Sequence, residues 1–107
     1  MLTIMEQSRQ KFSVSFKDET CALFTPGSIR YRLDDVTIPE WPTVVLDWQT
    51  VVPDTTVELT IPSSANSILN DRNSYEQRVL TIQSDFGTDD QLSQELSYRI
   101  VNMQGVQ

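Results

Sequence analysis

Between residues 11 and 17 the chain reads KFSVSFK, with Phe12, Val14 and Phe16 on one parity and Lys11, Ser13, Ser15 and Lys17 on the other. A period of two is that of a β-strand with one face in a core and the other in water. The pattern returns in SIRYRLD, which sets Ile29, Tyr31 and Leu33 against Arg30 and Arg32, and in TVVLDWQ, which puts Val44, Leu46 and Trp48 together. It appears again in TVELTIP through Val57, Leu59 and Ile61, and in QLSQELSYRIVNM through Leu92, Leu96, Tyr98 and Ile100. The short run CALF and the longer QRVLTIQSDF complete seven predicted strands.

The separators are turn formers. Pro26-Gly27 suits the centre of a type II turn, GTDD suits a hairpin turn, and aspartates such as Asp34 and Asp35 end strands by bonding the backbone two residues on. VTIPEWP carries two prolines, which remove ladder donors and predict an extended connection. PSSANSILND offers Ser63 or Ser64 as an N-cap, with Ala65, Ile68 and Leu69 at helical spacing, so one or two turns of helix are expected. Short strands with turn signals every 8 to 12 residues predict an all-β fold. The expected architecture is an immunoglobulin-like antiparallel β-sandwich of about seven strands with one short helical crossover. A small barrel is the structural alternative. The expected organisation is an N-terminal arm over 1–10 and a sandwich domain over 11–104.

Composition narrows function. A chain of 107 residues supports one core. Its formal charge of −7 disfavours nucleic acid and anionic membranes as partners. The single cysteine, Cys21, allows no intrachain disulfide, and it is expected as a small buried residue. The start MLTIMEQSRQ has neither the basic flank nor the apolar run of a secretion signal, and no stretch approaches the about 18 apolar residues of a membrane span, so synthesis in the cytoplasm is expected. Without histidine the chain lacks the commonest general base and metal ligand, and no nucleophile elbow or phosphate-cradling loop is present, so no enzyme and no cofactor is expected. Asp34-Asp35 and Asp85 with Asp89-Asp90 offer oxygen to calcium in principle, but neither matches an EF-hand, and both are expected as turns rather than metal sites.

The candidate partner contacts are side chains without an obvious place in the core. Arg30 and Arg32 share the outward face of one strand, and arginine is enriched at protein contacts. Trp41 stands between Pro39 and Pro42 on an irregular segment, whereas Trp48 is expected in the core. Leu2, Ile4 and Met5 give the arm an apolar surface for a neighbouring subunit.

The succession KFSVSFKDE, TPGSIRYRLDD, VVLDWQ, TVELTIPSSANSIL, EQRVLTIQSDFG and ELSYRIVNM, covering residues 11 to 104, resembles the small accessory structural proteins of tailed bacteriophage virions. The resemblance implies a non-enzymatic subunit in symmetric copies on the virion, decorating or cementing the capsid or completing the head-to-tail region. Its partners would be the major capsid protein, or neck or tail proteins of the same particle. The alternative is a sandwich module binding carbohydrate or a fibre protein through its loops, with Trp41 and Tyr75 as exposed aromatics.

Overall fold

The computed structural model describes residues 2–70 and 72–102. Residues 103 and 104, assigned above to the last strand and the domain, lie outside that range. The strands are β1 (Leu2–Met5), β2 (Gln10–Ser15), β3 (Ile29–Asp35), β4 (Thr43–Val51), β5 (Thr56–Ile61), β6 (Tyr75–Ser84) and β7 (Leu92–Val101). Five form one sheet in the order β1-β7-β6-β3-β4, and β2 pairs with β5 in a second. The fold is all-β and sandwich-like. The immunoglobulin constant plan divides seven strands four and three, whereas the described strands divide five and two.

The alternating residues build the core. Ile29 and Leu33 from β3, Leu80 and Ile82 from β6, and Tyr98 and Ile100 from β7 form one layer, and Val57, Leu59 and Ile61 from β5 form the facing one. Phe12 and Val14 of β2 pack against this cluster, and the Phe12 and Tyr98 rings meet at 5.7 Å across the two sheets. The strand periodicity of the sequence thus becomes two apolar faces pressed together.

Three expectations change. The segment assigned to an arm is part of the sheet: β1 runs parallel to β7, from Leu2 opposite Tyr98 to Met5 opposite Val101, and Ile4 packs on the core. This parallel pair also makes the sheet mixed rather than wholly antiparallel. Second, CALF is not a strand. The Asp18 carboxylate accepts from the amides of Thr20 and Ala22 and from the Thr20 hydroxyl, winding the chain into a tight turn and leaving only a Lys17–Leu23 bridge. Cys21 at the tip of that turn takes a φ of 65° and is exposed, not buried. Third, the helical crossover is a single 3-10 turn, Ser63–Asn66, entered through Pro62 with no serine side chain capping it.

Pro26-Gly27 also differs from the type II turn expected, because the positive φ values lie elsewhere, at Gln7, Cys21, Asp85 and Gly87. Gly27 is required for closeness instead. Its amide donates to Asp85 Oδ1 at 2.6 Å, and a Cβ there would stand 3.1 Å from that oxygen.

Candidate partner-contact surfaces

On the outer face of the five-stranded sheet, the arginines of β3 are occupied within the chain. The Arg30 guanidinium lies 4.1 Å from the Trp48 ring and 4.4 Å from the Phe86 ring, and its Nε donates to Gln83 Oε1 at 2.8 Å. Arg32 sits 5.0 Å from the same Trp48 ring and donates to Asp34 Oδ2 at 3.1 Å. Stacked cations on aromatic faces give a rigid, half-dry layer. Arg30 and Arg32 are outward, as the alternation requires, but each is half-buried rather than free.

Trp48 is therefore not a core residue, and the cause is register. Tyr31 faces Gln49, Leu33 faces Leu46 and Asp34 faces Val44, so β4 gains one residue at each of two successive steps. Each bulge shifts the pleat by one position. Val45 and Leu46 consequently both reach the core, while Trp48 turns to the arginines and Val44 becomes exposed.

Trp41 is the most accessible aromatic among the described residues, at 76%. Its amide donates to Ile38 O at 3.0 Å, closing a turn with Pro39 at the position where its fixed φ is favoured. Ile38 and Val44 beside it are also more than half exposed. The turn and the first residues of β4 together hold an aromatic and two aliphatic side chains in water, beside an outer strand of the described sheet. On the opposite edge, Leu2 and Met5 of β1 are exposed, whereas Ile4 is half-buried. Of the six candidates, Trp41, Leu2 and Met5 are available to a partner. Tyr75 is exposed as well, with Arg99 stacked 4.2 Å over its ring.

The adjacent acids Asp34 and Asp35 point to opposite faces of β3. Asp34 holds Arg32 outside; Asp35 enters the interior and pairs with Arg78, which is fully buried. Asp35 also accepts from the amide and hydroxyl of Thr37, both at 3.1 Å, which is the strand-ending turn expected of it. Arg78 Nη1 further contacts Glu76 Oε1 at 3.2 Å, and its Nη2 donates to Ser67 O at 2.8 Å. Glu76 in turn accepts from the amides of Leu69 and Asn70 and from Asn73 Nδ2. Burial pushes the Glu76 carboxyl up, but these donors together with Arg78 outweigh it and hold its pKa below the ordinary glutamate value. Nearby, Tyr98 donates to Asn66 Oδ1 at 2.7 Å, and Asn66 Nδ2 donates to Ser8 O at 2.7 Å. Burial raises the Tyr98 phenol well above its ordinary range, against a smaller lowering from Arg78. These bonds tie the linker after β1, the 3-10 turn, the loop before β6 and the inner faces of β3, β6 and β7 together.

This interior cluster escaped the sequence reading, although a signal was present. In EQRVLTIQS, residues 76, 78, 80, 82 and 84 share one parity, so the period that sends Leu80 and Ile82 inward sends Glu76 and Arg78 with them. Among the described residues, no group of three or more His, Cys, Asp or Glu is placed to hold a metal ion. No family model matches the chain, and neither a curated protein nor a solved structure matches it.

Proposed function

We propose that the protein is a non-enzymatic structural subunit of a tailed-phage virion, present in symmetric copies and decorating or cementing the capsid or completing the head-to-tail region. The observation that carries this reading is the Ile38–Trp41 turn. A tryptophan 76% exposed, flanked by exposed Ile38 and Val44 at a sheet edge, is what an anchor for a protein partner looks like before it docks. Its hydrogen-bonded turn fixes the backbone that carries the ring, so the main chain has little order to gain on binding.

The resemblance noted in the strand succession supports the virion setting, and the all-β, two-sheet architecture is compatible with it. The partner would present an apolar pocket for Trp41, on the major capsid protein or on a neck or tail protein. Quantitative mass spectrometry of purified particles from the phage encoding the chain tests the reading. A fixed copy number per particle is expected, high for a shell or tail position and six or twelve for the neck, with Trp41→Ala reducing incorporation while the isolated protein stays folded. Absence of the chain from the particles would refute it. A glycan-binding signal lost in Trp41→Ala would move the function to the surface-binding class.

A further inference from the structure

The two sides of the five-stranded sheet, β4 on one and the part of β7 that β1 leaves uncovered on the other, are guarded unequally. β4 carries two bulges and is flanked by Pro42 and Pro53, devices that spoil an edge for further pairing. β7 has none of them. It pairs with β6 over ten consecutive positions without a register shift, from Leu92 opposite Ser84 to Val101 opposite Tyr75. On its other side β1 covers only Tyr98 to Val101. Among the described residues, 92 to 97, LSQELS, therefore keep one row of backbone groups without a strand partner, and the segment contains no proline, lysine or glycine. Leu92 and Leu96 lie opposite Ser84 and Leu80 on the inner face, yet they are 53% and 39% exposed.

We infer that this open half of β7 pairs antiparallel with the same segment of a second copy, about a two-fold axis through Gln94. The sequence selects both occupant and register. Centred on Gln94, the pairing sets Leu92 opposite Leu96 of the partner copy and the reverse, Gln94 opposite itself, and Glu95 opposite Ser93. The four leucines then meet on one face, and the segment's only charged residue faces a hydroxyl. Moving the centre to Glu95 would oppose two carboxylates and pair Leu96 with Gln94. A half-step would place inner-face residues opposite outer-face ones, because side chains alternate. The lane beside β7 has the required length. Leu92 of the second copy lies opposite Leu96, two positions short of the Leu2–Tyr98 pair, and the chain before Leu92 is already turning away through residues 87–90. Such an interface is isologous and joins two five-stranded sheets into one of ten strands.

The pairing relies on the subunit reading above only for the expectation of several copies. It is tested on the isolated protein, so either can fail without the other. In a Cys21→Ser background, Gln94→Cys places two thiols on directly opposed positions, with Cα atoms about 4.5–5.5 Å apart, within disulfide reach. Glu95→Cys places its pair about 8 Å apart, beyond reach, from two steps of about 3.4 Å along the strand. Mild oxidation should therefore cross-link Gln94→Cys into a dimer at least about tenfold faster than Glu95→Cys. Light scattering on the unmodified chain should show a dimer, and Leu96→Lys should raise its Kd by about tenfold or more while leaving the thermal transition in place. A monomer at the highest soluble concentration, or equal cross-linking at residues 94 and 95, overturns the inference.

Discussion

β7 joins two different environments along one unbroken ladder. At its C-terminal half, Tyr98 and Ile100 are completely buried, whereas at its N-terminal half Leu92 and Leu96 stand 53% and 39% exposed on the same face. The difference does not lie in the strand, whose alternation and pairing with β6 are the same throughout. It lies in the cover. The C-terminal half has β1 beside it, β2 above it through Phe12, and the 3-10 turn held against Tyr98 by Asn66. The two-stranded sheet does not extend this cover to the N-terminal half. One end of the sandwich is thus closed within the chain, and the other is the open end at which we infer pairing with a second copy.

Removing Arg78 should break the closed end most severely. Arg78→Ala strands Asp35 and Glu76 in the interior, and an uncompensated buried charge costs about 3–5 kcal/mol, measurable as a drop in the denaturant midpoint. Deleting residues 1–6 comes next. It removes the parallel ladder on Tyr98–Val101 and the buried part of Ile4, for about 2–4 kcal/mol by lost apolar burial and hydrogen bonds. A deletion mutant as stable as the parent would mean that β1 is an arm after all.

Acid should act on the same end more gently. Because the folded pKa of Glu76 lies below its unfolded value, its hydrogen bonds contribute stability that is complete above the ordinary glutamate range and is lost as pH falls through the folded value. Denaturant melts from pH 7 down to pH 3 should show this decline, and Glu76→Gln, though less stable at neutral pH, should show a shallower one. At the open end, Leu92→Ser should change the stability of the monomer by no more than about 0.5 kcal/mol, the range of surface substitutions. A loss several times larger would place Leu92 in a core and erase the contrast.

How much of this was legible in the sequence follows from what each feature depends on. Strands β2, β3, β5 and β6 and the inner faces of β2, β3 and β5 follow from local alternation, which needs no knowledge of the rest of the chain. The fate of Trp48 was not legible, because the bulge between Gln49 and Leu46 puts it on the face opposite Leu46, and bulges carry no alternation signal of their own. The placement of LTIM was equally hidden. Four residues pair in parallel with a strand almost a hundred positions away, and nothing local marks such a contact. Trp41 stood out through its flanking prolines and is exposed as expected, whereas Arg30 and Arg32 were rightly placed outward but are engaged by rings that only the fold brings near. Arg78 could have been read inward from parity alone, had its charge not suggested water.

Amide hydrogen exchange along β7, recorded at low and at high protein concentration, tests the contrast most directly. The account predicts that amides within Tyr98–Val101 are protected equally at both concentrations. Among residues 92 to 96, the alternate amides that do not bond β6 should exchange quickly when dilute and gain protection only when concentrated. Uniform protection along the strand at both concentrations, or no gain at residues 92 to 96 on concentration, would contradict it.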